Sequence, residues 1–318
     1  MDTEPGAVAA NTVYLSLVVP CFNEEAAIPL FYDETARICA SLNEQSELIF
    51  VDDGSKDNTL DILRRLADQD GRVHYISFSR NFGKEAALLA GLQAAQGKYI
   101  ATLDADGQDP PSLIPQMLKA VVSGEYDCAG TRRITRAGEP PVRSFFARCF
   151  YALMKKITNI EVIDGARDFR LMNRTYLEAI LAMPERNRFS KGIFPWVGFK
   201  TKWFEYENIE RTAGRTKWSF TGLFLYSLDG ITAFSSKPLA VASALGMLLF
   251  LASLLLIIFI VIRKILWGDP VGGWASTACI ILFCSGIQLL TTGILGQYMA
   301  KIYTEVKQRP QYIVREAR

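Results

Sequence analysis

The sequence is poor in the groups that carry most acid–base and redox catalysis. It has one histidine, His74, set in an alternating apolar stretch that reads as a strand, so chemistry built on histidine is nearly excluded. Its six cysteines, Cys21, Cys39, Cys128, Cys149, Cys279 and Cys284, form no C-x-x-C pair and have no histidine-rich neighbourhood. Neither disulfides nor zinc are expected from such a set. The net charge is only +2, too small to suggest nucleic acid as a partner. No charged-then-apolar segment with a small-residue cleavage site opens the chain, so the first domain is expected to be cytoplasmic.

Charge is also missing locally. Residues 238–262 and 272–300 contain no Asp, Glu, Lys or Arg, and each run exceeds the roughly 20 residues that cross a bilayer core as a helix. A buried helix of a soluble protein rarely lacks charge around its whole circumference for so long. Between the runs lie Arg263, Lys264 and Asp269, while the tail carries Lys301, Lys307, Arg309, Arg315 and Arg318. With a basic approach to the first run, this bias predicts a hairpin in the inner (cell) membrane with both termini cytoplasmic. The expected organisation is a catalytic domain over 1–215, a juxtamembrane amphipathic segment over 216–237 and spans over 238–262 and 274–300. A non-cytoplasmic connector over 263–273 joins the spans, and a cytoplasmic tail over 301–318 ends the chain.

Apolar runs of strand length alternate with stretches of helical spacing: 15–22 then 26–42, 47–51 then 58–67, 73–79 then 84–95, and 99–104 then 111–122. A further strand is expected at 128–133. Such alternation predicts parallel pairing in an α/β sheet covered on both faces, with ligands bound beyond the carboxyl ends of the strands. Residues 143–157 mix Phe145, Phe146, Phe150, Tyr151 and Met154 with Arg143, Arg148, Lys155 and Lys156. They read either as a core-facing helix or as one lying in the membrane interface. The Phe- and Leu-rich stretch 218–236 is the stronger interfacial candidate, because it directly precedes the first span.

Polar clusters close the expected strands. Val18-Val19-Pro20-Cys21-Phe22-Asn23-Glu24-Glu25 ends the first and Val51-Asp52-Asp53-Gly54-Ser55 the second. A carboxylate there can accept hydrogen bonds from a ribose or base, and glycine lets the chain turn closely around a ligand. Either alone reads equally as an ordinary strand-to-helix junction capped by aspartate. The run Leu103-Asp104-Ala105-Asp106-Gly107-Gln108-Asp109-Pro110-Pro111 says more, because it places several oxygen donors directly after an apolar strand, and hard divalent ions prefer such donors. If the chain stays extended, Asp104, Asp106 and Gln108 project to one side. No glycine and distal glutamate follow at the spacing of an EF-hand.

The V-V-P-x-x-N-E-E opening, the V-D-D-G-S turn, Asn81-x-Gly83-Lys84 and the D-A-D-x-Q-D-P-P loop together resemble family-two glycosyltransferases of the GT-A fold, in particular those acting on polyprenyl phosphates. The likeness continues through Asp168-Phe169-Arg170-Leu171, the run from Arg211 to Trp218 and the tail from Gly296 to Val314, and so covers nearly the whole chain. Gly107 and Arg215 depart from the usual pattern. The first should be tolerated, and the second adds charge near the acceptor.

The resemblance implies a Rossmann-like, mostly parallel sheet domain followed by interfacial helices and the membrane hairpin. It implies a nucleotide-sugar donor, with a uridine diphosphate sugar favoured, and a polyprenyl-phosphate acceptor. Pro20, Glu24 and Asp53 would hold the nucleoside, with Lys84 near the donor. Asp104, Asp106 and Gln108 would bind Mg2+ or Mn2+. Asp168, and more distantly Asp164, fall where an acceptor-side carboxylate is kept. Arg132 reads either as a phosphate contact or as a solvated surface arginine. Arg211, Arg215 and Lys217 read as a clamp on the lipid phosphate or as general attraction to anionic headgroups. Glucose is the first expectation for the sugar, with mannose, an N-acetylhexosamine or aminoarabinose as alternatives, and a homo-oligomer is compatible with the sequence. A processive synthase would carry a Q-x-x-R-W segment, which is absent, and a flippase would need charge within the spans. A non-enzymatic lipid-binding scaffold conflicts with the intact acidic cluster.

Overall fold

The computed structural model describes residues 13–134, 163, 165–207, 232, 235–267 and 273–318. Strands β1 (Leu15–Cys21), β2 (Ser46–Asp52), β3 (Val73–Phe78) and β4 (Tyr99–Thr102) pair in parallel. They alternate with α1 (Ile28–Ser41), α2 (Thr59–Gln69), α3 (Lys84–Ala94) and α4 (Ile114–Val122), the last entered through a short 3-10 turn at Pro111–Leu113. After β5 (Cys128–Arg133) come β6 (Ala166–Asn173), α5 (Arg174–Leu181), α6 (Ser190–Trp196) and β7 (Thr201–Tyr206). The two long helices α7 (Lys237–Trp267) and α8 (Trp274–Lys307) follow, and β8 (Val314–Ala317) ends the chain.

The eight strands form one sheet in the order β7-β5-β6-β4-β1-β2-β3-β8. β6 runs antiparallel to both neighbours and β8 antiparallel to β3, so the mostly parallel sheet carries two reversals. Because β6 is reversed, its first residues lie at the same end of the sheet as the carboxyl ends of β1, β2 and β4.

Every residue of β1 is buried, which explains its uninterrupted apolar run. Leu15, Leu17 and Val19 pack into a core with Phe31 of α1, Leu63 of α2 and Met117 of α4. Val18 faces α3 on the opposite side. There Gly91 allows the close approach, since a Cβ on it would stand 2.3 Å from a Val18 methyl. Helices thus cover both faces, and the polar loops are left at the strand ends.

The chain divides into two compact units, one holding the sheet together with Arg309–Arg318 and the other holding α7 and α8. Among the described residues, one helix is long and apolar enough to cross a membrane, α7 over Lys237–Leu256. Its Met247, Leu248, Phe250 and Leu255 are exposed. The second expected span falls on α8, a helix of 34 residues interrupted by Thr277, Ser285, Gln288, Thr291, Thr292 and Gln297.

Candidate active site

The motif loops hold one another before they hold anything else. Asn23, with φ +52°, donates its amide to Ser55 Oγ at 2.8 Å and accepts the Lys56 amide on its side-chain oxygen at 2.8 Å. The Glu24 amide meets Thr59 Oγ1 at 2.9 Å, and the Glu25 carboxylate takes the Asn58 amide at 3.0 Å. The loops after β1 and β2 are therefore one laced surface, with buried Pro20 at its base. Gly54 is required where this surface meets the chain after β3. Its φ is +68°, and a Cβ would lie 2.4 Å from the Arg80 carbonyl carbon.

Asp53, expected to meet the nucleoside, is turned to the loop before α3. Its carboxylate accepts the Phe82 amide at 2.6 Å and the Gly83 amide at 2.9 Å. Burial pushes its pKa up in spite of these bonds. Asp52 beside it accepts from Ser77 Oγ at 2.8 Å and from the Ser55 amide at 3.0 Å. Gly83, with φ +99°, then turns the chain into α3, whose first residue is Lys84.

Lys84 brings the two halves of the site together. Its ammonium lies 2.7 Å from Asp104 beyond β4 and 2.6 Å from Asp168 at the start of β6. Burial alone would lower the lysine pKa, but the charges of Asp104 and Asp168 outweigh it and hold the group cationic. For Asp168, burial works toward protonation. Lys84, Lys191 and Arg167 more than offset it, so the carboxyl stays far below its ordinary range. Asp106 is buried, and its Oδ1 accepts the Gln108 amide at 3.1 Å.

Three residues without a role in the sequence reading complete the cluster. Asp109 is fully buried, and its Oδ1 accepts from Arg167 Nε and from the Tyr206 hydroxyl, both at 2.9 Å. Arg167 immediately precedes Asp168 in β6, and its charge reaches Asp104 as well. The available sequence signal was the adjacency of Arg167 to Asp168 and the acidic residue left over in the D-A-D-x-Q-D-P-P loop.

Asp104 and Asp168 already converge on one cation, the Lys84 ammonium, whereas Asp106, two residues further along the loop, turns one carboxylate oxygen to the Gln108 amide. Among the described residues, no group of three His, Cys, Asp or Glu side chains converges as a metal site. This donor set fits a hard ion held by one or two carboxylates and completed by substrate phosphates, not a dedicated all-protein cage. Arg132 does not join the cluster. It pairs with Glu205, 2.9 Å from Nε, in an exposed ion pair between β5 and β7. Arg211, Arg215, Lys217, Asp164 and the stretch 143–157 lie outside the described residues, as does most of 218–236.

Residues 16–181 match the model of a known family, "Glycosyl transferase family 2". Over 303 residues the chain is 41% identical to the bactoprenol glucosyl transferase of Shigella phage SfII, covering 95% of this chain and 98% of that one. Likewise it is 40% identical to the putative glycosyltransferase CsbB of Bacillus subtilis, over 95% of this chain and 92% of the relative. In fold it is similar to a glucosyl-3-phosphoglycerate synthase from Mycobacterium tuberculosis, solved with Mn2+, uridine diphosphate and phosphoglyceric acid. That likeness has a TM-score of 0.50 and 20% identity, over 69% of this chain and 76% of that one. The chain belongs to glycosyl transferase family 2, and its sheet domain has the GT-A fold.

Proposed function

We propose that this family 2 glycosyltransferase moves glucose from uridine diphosphate glucose onto the phosphate of a polyprenyl lipid, of undecaprenyl type, at the cytoplasmic face of the cell membrane. The observation that carries this reading is the likeness of almost the whole chain, helical part included, to relatives named for bactoprenol glucosyl transfer. The motif surface after β1 and β2, with Pro20, Glu24 and Asp53, is the nucleoside side. There Asp53 works through the loop it holds, and Lys84 serves the donor phosphates. Arg132 would reach those phosphates only by leaving Glu205. Both long helices are read as spanning the membrane, with both termini in the cytoplasm, and Arg211, Arg215 and Lys217 are read as contacts for the acceptor phosphate.

Asp104, Asp106 and Gln108 would hold Mg2+ or Mn2+, which when bound neutralises charge on the departing diphosphate. The residues of the chain do the rest. Lys84 keeps Asp104 and Asp168 in fixed positions and offers positive charge where the donor phosphates arrive. The nucleophile is a phosphate oxygen, and with a second pKa of about 6 it is largely dianionic at cytoplasmic pH. No proton has to be removed. Asp168, held ionised against Lys84, orients the acceptor side instead of acting as a base. Attack opposite the diphosphate inverts the anomeric carbon, so an α-linked donor gives a β-linked lipid phosphate. Positioning and charge stabilisation supply most of the acceleration.

The test is to incubate membranes containing the chain with undecaprenyl phosphate and a panel of radiolabelled nucleotide-sugars, then identify the lipid product. A glucosyl phospholipid formed only with added divalent ion is expected. Product from another sugar alone would overturn the glucose assignment, and absence of any lipid product would overturn the acceptor.

A further inference from the structure

Within the reading just given, on which this inference rests, one cation beside the site has no assigned role. Lys191 lies in the first turn of α6, half-buried. It follows Ser190, which is bonded to Glu85 beside Lys84, and its positive charge helps to hold buried Asp168 ionised. Lys84 is already bonded to two carboxylates. Lys191, by contrast, makes no hydrogen bond or close ion pair among the described residues.

The mount that carries Lys191 is built from the helix that carries Lys84. Glu85, the next residue of α3, is directed at the start of α6. Its two carboxylate oxygens accept the Ser190 amide at 3.1 and 3.0 Å, and Oε2 also accepts the Ser190 hydroxyl. On the approach to α6, Arg188 binds the Met183 carbonyl at 3.0 Å, and Gln311 from the chain terminus binds the Glu185 carbonyl at 2.9 Å. One turn of α3 therefore sets Lys84 and, through Glu85 and Ser190, fixes the backbone from which Lys191 extends. A cation on a braced backbone, near a carboxylate but joined to none, is poised to receive an anion that arrives with substrate.

Its position in the sheet says which anion. Asp104 lies beyond β4, whose neighbour on one side is β1, with the motif surface assigned to the nucleoside, and on the other side is β6. Lys191 extends from the backbone that Ser190 and Glu85 tie to the start of α3, where Lys84 meets the Asp168 that β6 supplies, on the side away from the nucleoside. We infer that Lys191 binds the phosphate of the incoming lipid acceptor and that Glu85 is its positioning residue.

The experiment measures initial rates with the full-length enzyme in mixed micelles, varying undecaprenyl phosphate and uridine diphosphate glucose separately. Lys191→Gln should raise the acceptor KM roughly tenfold to a hundredfold, the worth of one charge-assisted hydrogen bond, with the donor KM moving by less than about twofold. Lys191→Arg should restore most of the loss. Glu85→Gln should move the acceptor KM in the same direction, and adding it to Lys191→Gln should cost little more, because both changes act on one contact. A rise confined to the donor KM, or an acceptor KM within twofold of wild type in Lys191→Gln, would overturn the assignment while wild-type transfer proceeds normally. A wild-type enzyme that glycosylates no polyprenyl phosphate would instead overturn the reading beneath it.

Discussion

Replacing Asp53 by alanine separates a residue that contacts the nucleotide from one that builds the site. Its side chain is only 4% exposed and accepts two backbone amides, from Phe82 at 2.6 Å and Gly83 at 2.9 Å. A hydrogen bond to a charged group contributes about 1.5–3 kcal/mol when buried. Phe82 and Gly83 are half-buried, so water recovers part of each amide, and the net cost is expected to be about 3 kcal/mol. For a domain of this size that lowers the thermal midpoint by roughly 6–12 °C. The Asp53→Asn variant keeps one acceptor but turns an NH2 toward the second amide, so it should fall about midway. The catalytic effect follows from the same loop, since Gly83 leads directly into Lys84 and a displacement of about 1 Å there costs on the order of a hundredfold in transfer. Thermal unfolding of the detergent-solubilised chain without nucleotide, beside steady-state kinetics, reads both effects. If Asp53 served only the nucleoside, Asp53→Ala would raise the donor KM and leave the nucleotide-free midpoint within about 1 °C of wild type. That pattern would refute the bracing role.

Three further outcomes are expected. Asp106→Ala should reduce transfer by at least about a hundredfold and abolish its response to divalent ion, while the protein still reaches the membrane fraction; retained activity would remove Asp106 from the metal site. Arg211→Ala combined with Lys217→Ala should raise the acceptor KM more than the donor KM, and the opposite pattern would move these cations to the donor side. Asp70 is held at about 2 chiefly by its hydrogen bonds with Arg72. A depressed carboxylate stabilises the fold above its unfolded value of 3.8 and loses that contribution as pH falls through about 2. After allowance for solvent screening it contributes about 1 kcal/mol, so Asp70→Asn should lower the midpoint by about 2–4 °C at pH 7. The gap should close as pH approaches 2, and a gap that widened with acid would contradict the ion pair.

The alternation of β1 to β4 with α1 to α4 was legible because each strand carries an apolar run and α1, α2 and α4 each have one buried face, while α3, buried all round from Ala86 to Leu92, was marked by its length and its place between polar loops. β5 was legible too, at 128–133, but β6, β7 and β8 were not. β6 is buried on both faces from Phe169 to Met172 and therefore shows no alternation. It also contains Arg170, a charge that argues against a core strand until Phe194 and Trp203 are seen stacked around its guanidinium, at 4.7 and 4.9 Å. β8 was hidden for another reason. Its anchor is a pair between Glu316 and Arg64, 252 positions apart, joined by two hydrogen bonds of 2.8 and 2.6 Å, and local spacing carries no trace of so distant a partner. The same limit applies to the site. The place of Asp104 at a strand end was visible in the sequence, whereas its ion pair with Lys84 and the bracing by Asp53, Asp109 and Glu85 depend on elements that only the fold brings together.

The charges around Asp168 argue for the kind of reaction this site runs. A general base works best with a pKa near the working pH, which a buried carboxylate reaches through desolvation and the absence of nearby cations. Asp168 has the burial, but it also has Lys84 at 2.6 Å and the fields of Lys191 and Arg167, and these keep it ionised. Such a group has little affinity for a proton, so an acceptor that had to lose one, such as a sugar or protein hydroxyl, would be poorly served. A phosphate monoester arrives already ionised, and what it needs is positive charge on one side of the anomeric carbon and a fixed approach. Asp168 supplies the second requirement by holding Lys84 in register with Asp104. Charge reversal at this position is therefore more damaging than simple neutralisation. Asp168→Asn should keep the site assembled with reduced transfer, whereas Asp168→Lys should place a second cation against Lys84 and drive the loop before α3 out of position. Nucleotide binding would report the difference, and equal donor affinity in the two variants would show that Asp168 does not organise the donor side at all.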